Sequence, residues 1–242
     1  MKYIEKDFGD AVVVAYEDEL KANQLDKNNL ANPSIHPTLK GRDVYEQINS
    51  FEHFKELKDK MLQDQGGICC YCGQILKFLK HPPYIVEHVF PKERCRELAG
   101  EYENLLLSCR PTDEEEEARR NEHDSGEKFW HCDKRKGNST LTYTPLQPDC
   151  GNHFVYYESG EVGWCDKQAE EDVKTLGLNC EYLKRRRKEA IFAVLYDEYG
   201  QLLSNEILEK YLSVIMERKA DNTLREFCFV IAGALNNFLY KK

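Results

Sequence analysis

"GGICCYCGQIL", residues Gly66–Leu76, places three cysteines within four positions. Cys69 and Cys72 form a C-x-x-C pair, with Gly66 and Gly67 before it and Gly73 after it. A redox dithiol, half of a zinc site, or a set of buried small hydrophobes would all use such residues. A thioredoxin-like dithiol belongs at a strand-to-helix turn in a βαβ setting. Here glycines flank the pair and no amphipathic helix follows, which favours a zinc knuckle. A tetrahedral zinc needs two further ligands. Downstream, Cys109 closes the apolar run "NLLLSC" and Cys132 opens "HCDKRKGN". Each falls at an element boundary, where a backbone can turn around a metal. Cys69, Cys72, Cys109 and Cys132 are therefore expected to hold one structural zinc, Zn2+. Cys70, Cys95 and His131 are the alternative ligands.

The bulk numbers bound the rest. A chain of 242 residues suffices for one large or two small domains with a real core. The start, "MKYIEKDFGD", carries charges where a signal peptide needs an apolar run, and no stretch is long enough to span a membrane. The expected location is cytoplasmic. In a reducing compartment the ten cysteines favour metal binding or catalysis over a disulfide framework. The net charge of −9 argues against strong unaided binding to phosphate backbones. Part of that excess is local, in "TDEEEEARRNEHD" at residues 112–124, which has the composition of a solvated loop.

Three regions are expected along the chain. Residues 1–65 form an N-terminal arm and helix, with 1–40 irregular. The helix is expected to start at Asp43 as N-cap and to run on Val44, Ile48, Phe51, Phe54, Leu57 and Met61 until Gly66-Gly67. Residues 66–145 form the cysteine- and histidine-rich centre. Residues 146–242 open with a β-hairpin, in which Val155 and Tyr157, then Val162 and Trp164, alternate around Ser159-Gly160. Three helical stripes follow: Ala190, Ile191, Val194 and Leu195; then Ile207, Leu208, Tyr211, Leu212 and Ile215; then Leu224 through Phe238. The fold class is α+β.

Between the halves of the cysteine set lies "YIVEHVFPKE". Ile85 and Val86 fit a strand that Pro91 ends. Glu87 and His88 are adjacent, so a bend or bulge is expected to bring both to one site. Asn104 opens the second apolar strand. After Cys132 come Asp133, Lys134, Arg135, Lys136 and Asn138. This group suits metal-assisted hydrolysis of a phosphodiester. Glu87 and Asp133 can offer oxygens to a hard cation. His88 can take a proton from water, and Asn104 can hold the imidazole by accepting from its other ring nitrogen. Lys134, Arg135 and Lys136 can meet phosphates.

The order C-x-x-C, E-H, N-L-L-L-S-C, H-C-D-x-x-K-G resembles the HNH endonuclease family. That resemblance implies a ββα-metal core clasping one catalytic cation, Mg2+ or Mn2+, beside a structural four-cysteine zinc. His88 then matches the general base, Glu87 the acidic ligand before it, and Asn104 the orienting asparagine. Asp133 falls at the last metal ligand, where relatives usually have His or Asn, and Asn138 is the alternative. The spacer from Cys109 to Cys132 is longer than the family's usual two residues. "MKYIEK", "CCYCG", "VEHVFPK", "NLLLSC", "HCDKRKGN" and "LGLNCEYLKRRR" together are similar to PtuB-like nucleases of Septu and certain retron anti-phage systems. The similarity implies a defence effector in a hetero-oligomeric complex with a PtuA-like ATPase. The ATPase is expected to dock on the N-terminal arm or on the C-terminal helices. Two rivals stand beside this: a catalytically silent zinc module that only binds nucleic acid or protein, and a C-x-x-C oxidoreductase.

Overall fold

A computed structural model describes residues 1–76, 84–110, 117 and 130–240. Of the acidic run at 112–124, all but Glu117 lie outside the described residues. The class is mixed helix and small antiparallel sheet, as the α+β expectation has it. No helix among the described residues is long and apolar enough to cross a membrane.

The first helix lies where the sequence suggested an irregular arm. Helix α1 spans Ala11–Ala22, and Asp10 caps it by accepting from the Val12 amide at 2.9 Å. Val13, Tyr16 and Leu20 form its buried face, and the Tyr16 hydroxyl donates to the Gly100 carbonyl at 2.6 Å. Met1, Ile4, Leu25 and Ala31 are buried in the same core, and Arg96 donates to the Ala31 carbonyl at 2.9 Å. The arm is therefore part of the core.

The helix expected to start at Asp43 is two helices. Helix α2 spans Gly41–Ile48 and α3 spans Glu52–Asp64. Asp43 is not the N-cap; its carboxylate reaches back to the Lys40 amide at 3.1 Å from the first turn. The break at residues 49–51 preserves the apolar spacing, because Val44, Ile48, Phe54, Leu57 and Met61 remain buried.

The centre is a hairpin followed by a short helix. Strand β1, Tyr84–His88, pairs antiparallel with β2, Leu105–Cys109, in register Tyr84↔Cys109 through His88↔Leu105. Helix α4, Cys132–Lys136, packs on β2. A second hairpin joins β3, Phe154–Tyr156, to β4, Val162–Trp164, in the expected place, but Val155 pairs with Gly163 and Tyr157 lies beyond the strand. Its buried side is Phe154, Tyr156 and Val162, so Tyr157 and Trp164 face outward.

Helices α5 (Lys167–Thr175), α6 (Glu181–Leu195), α7 (Asn205–Val214) and α8 (Cys228–Tyr240) complete the chain. Only half of the expected α7 stripe is core: Leu208 and Ile215 are buried, while Ile207 and Tyr211 are exposed. One hydrophobic cluster runs from Met1 to Leu235, so the three sequence regions share a core.

Candidate functional site

The cysteine knuckle is a tight turn closed by its own backbone. The Cys69 amide donates to the Gln74 carbonyl at 2.8 Å and the Gly73 amide to the Cys69 carbonyl at 3.1 Å. Gly73 has φ +82°, and a Cβ there would meet the Phe229 ring at 2.8 Å, so only glycine fits both the backbone and the space. This turn aims Cys69 and Cys72 at the end of β2 and the start of α4.

All four thiols converge. The sulfurs of Cys69, Cys72, Cys109 and Cys132 lie within 4.8 Å of one another and all four residues are buried. Cys69 and Cys132 are 3.8 Å apart and Cys72 and Cys109 3.7 Å. A tetrahedron with Zn–S bonds of about 2.3 Å has edges of about 3.8 Å, so the arrangement fits a four-coordinate zinc. Backbone amides point at the sulfurs: Cys109 N–H reaches Cys69 Sγ at 3.3 Å and Gln74 N–H reaches Cys72 Sγ at 3.5 Å. Cys70 and Cys95 are not in the group. His131 borders it, with Nδ1 at 3.5 Å from Cys109 and 3.4 Å from Cys132. A Cys69–Cys72 pair enclosed by two more thiols does not match an exposed redox dithiol.

Beside the thiols lies a cluster of charge. Glu87 is 0% exposed. Its Oε1 accepts from the Tyr71 hydroxyl at 2.8 Å and faces Lys136 Nζ at 2.7 Å. Its Oε2 is buried without a hydrogen-bond partner. Burial first, and then the Asp133 carboxyl next to it, hold the Glu87 carboxyl well above the ordinary carboxylate range, against the pull of Lys136. Asp133 and Lys136 are three residues apart on α4, so one helix face brings both to Glu87. Glu87 thus has one ammonium and a second carboxyl next to it, and its buried Oε2 lacks a donor. That is a donor set a hard cation would satisfy.

His88 belongs to a different set of contacts. β1 carries no bulge between Glu87 and His88, contrary to expectation, so the two side chains leave opposite faces of a regular strand. His88 is 5% exposed, edge-on to Tyr45 at 4.9 Å, with Nε2 at 3.0 Å from the Ala99 carbonyl. A carbonyl only accepts, so Nε2 carries the proton and Nδ1 is the basic nitrogen. Burial, with Lys92 next and Lys136 further off, pushes the imidazole pKa down to about 3 despite the bond to Ala99.

Asn104 does not touch that ring. Its Oδ1 accepts from the Phe90 amide at 2.7 Å, and its Nδ2 donates to Phe90 and Leu98 carbonyls at 2.9 and 3.1 Å. It ties together the loop between β1 and β2 and so positions His88 through the backbone. Among the three cations expected at phosphates, Lys134 and Arg135 are exposed, and Lys136 is buried in its pair with Glu87. Asn138 is exposed beyond the end of α4.

Two contributors escaped the sequence. Tyr71, inside the knuckle, donates to Glu87. Arg187 is buried and bonded through Nε to the Gly160 carbonyl at 2.7 Å, and the nearby Cys72 and Cys132 are among the groups that favour its charge. The signal for Arg187 was its place four residues from Leu183 and from Ile191, on the apolar face of a basic helix.

Lys136→Met tests the buried pair. Removing one partner strands the other's charge, and the expected cost is about 3–5 kcal/mol at a pH where Glu87 is ionised. Raising the Glu87 pKa means that the loss shrinks as pH falls and the carboxyl protonates. Urea denaturation of the variant at two pH values measures both effects. An unchanged stability would return Lys136 to a solvent-facing role.

A comparison of the chain with known family models gives no match, and a search of curated proteins gives none.

Proposed function

We propose that this chain is a metal-dependent phosphodiesterase built on a hairpin–helix core. Its particular type is an HNH endonuclease of the PtuB-like kind, acting on nucleic acid in anti-phage defence with a PtuA-like ATPase. One observation carries the proposal. Hairpin β1–β2 and helix α4 bring Glu87 and Asp133 together beside a four-thiol cluster, leaving Glu87 Oε2 without a donor.

In this proposal the cluster holds structural zinc, whose four protein ligands leave no open position for chemistry. Glu87 and Asp133 would hold Mg2+ or Mn2+, which when bound offsets negative charge developing on a phosphate. His88 supplies Nδ1 as general base, with Nε2–H fixed on the Ala99 carbonyl. Nδ1 takes a proton from water as its oxygen attacks phosphorus. The bond from phosphorus to the leaving oxygen breaks, and that oxygen is protonated in turn. Asn104 keeps the loop beside His88 in place.

A second reading has its own observation. Glu87 is wholly buried and already engaged by Lys136 and Tyr71, which suits a zinc-stabilised module that binds without cutting. Calorimetric titration with Mg2+ and Mn2+ separates the two. The nuclease predicts saturable binding that Asp133→Ala weakens, and the silent module predicts none.

The partner proposal uses the acidic net charge. Nonspecific nucleic-acid affinity comes mainly from Lys and Arg displacing counterions, and a chain at −9 gains little from it. The C-terminal helices are one of the two docking surfaces considered. On α7, Ile207, Tyr211 and Val214 are exposed at helical spacing. Cleavage of phage DNA, plasmid and total RNA is expected to be weak with the chain alone and stronger with the ATPase. A chain that ignores the ATPase and cuts vigorously by itself sinks the partner proposal.

A further inference from the structure

The helix that carries Asp133 has a second face. Arg135 points away from Glu87 into a surface groove of about 660 Å³, walled by α4, β4, α5 and the start of α6. Trp164, 40% exposed, and Val173 supply its apolar surface, and Lys174 supplies a second cation. Arg135 Nε donates to the Lys174 carbonyl at 3.0 Å, which fixes its stem along the groove. A Cβ at Gly177 would meet Arg135 Cδ at 2.4 Å, so the glycine makes room for that side chain. Nearby, Lys134 lies over the Trp130 ring at 4.8 Å. Both tryptophans of the chain thus border α4, each next to a cation.

The groove has two cations among its lining residues, Arg135 and Lys174. Lys174 pairs with Glu170 at 2.6 Å, but with 66% of its side chain exposed that contact is readily exchanged for a phosphate. Among the described lining residues Glu181 is the acid, and it pairs with Lys184. Exposed aromatic surface beside positive charge is the chemistry that binds a single strand, with bases on the ring and phosphates on the cations. A duplex keeps its base faces stacked inside and cannot offer one to Trp164.

We infer that this groove seats a single-stranded nucleic acid, one base stacked on Trp164 and adjacent phosphates on Arg135 and Lys174. The inference rests on the nucleic-acid reading above and deepens it, giving the strand a path on the far side of α4 from Glu87.

The test is a binding measurement on the full chain with no divalent cation added, so that cutting plays no part. In Trp130→Phe protein, Trp164 is the sole tryptophan. Its fluorescence is expected to be quenched by a single-stranded octanucleotide at low salt. For two phosphate contacts the log–log salt slope should be about −1.4, at about −0.7 per contact on single strands. Lys174→Ala should bring it to about −0.7. In anisotropy with a labelled octamer, Trp164→Ala should bind about 5- to 150-fold more weakly, and Trp164→Phe should recover most of the loss. A flat titration, equal affinity for a duplex, a mononucleotide or an acidic peptide, or a salt-independent signal would each overturn the groove assignment. Failure of the nuclease reading would show in a cleavage assay and leave this binding curve unchanged.

Discussion

Cys72→Ser and Cys132→Ser are each expected to strip the protein of its zinc and to collapse the centre of the fold. The wild-type chain should carry about one tightly held zinc. The four sulfurs join the knuckle, the end of β2 and the first residue of α4, three segments far apart in the chain. Structural zinc contributes on the order of 10–16 kcal/mol in small zinc domains, as much as the whole net stability of an ordinary one. A three-thiol remnant holds metal poorly and leaves buried sulfurs unpaired. Metal content by mass spectrometry, with thermal unfolding before and after chelation, measures the effect. Full zinc retention in both variants would remove the assignment.

His88→Ala should reduce cleavage by about 10²–10⁴-fold while leaving zinc content unchanged. The zinc result guards against misfolding as the explanation, because Cys109 stands at the far end of the same hairpin. A further consequence follows from burial. The folded imidazole has its pKa pushed down to about 3 from an ordinary 6.5, so the unfolded chain takes up a proton that the folded one does not. Stability from this group is complete above pH 6.5 and is lost as pH falls towards 3. His88→Ala should therefore flatten part of the acid limb of the stability curve. Near-normal cleavage by the variant would rule out the general-base role.

Some features were legible because they are local. C-x-x-C between glycines, cysteines at element ends, and alternation across Ser159-Gly160 each depend on neighbours in sequence. All three reappear in the structure: the thiols meet, and β3 and β4 pair in the expected place. Asp133 also stands against Glu87. The four-thiol group was therefore readable by counting candidate ligands, since a metal ion is the usual reason for buried cysteines to converge in such an array.

The directions of side chains were not legible in the same way. "KRK" has the composition of a solvated face, yet a five-residue helix turns Lys136 inward with Asp133 and leaves Lys134 and Arg135 outside. Asn104 can accept from a ring nitrogen in principle, but the loop after β1 returns close enough for Phe90 to claim its amide. α7 has one apolar pattern in sequence and two fates in space: Leu208 is buried in the core, and Ile207 and Tyr211 are exposed. α1 was missed because its buried positions become a face only when α3 packs against them. Sequence spacing determined which residues can share a face and which atoms can bind a metal. Long-range packing alone decided what each face meets, because burial and charge pairing depend on segments far apart in the chain.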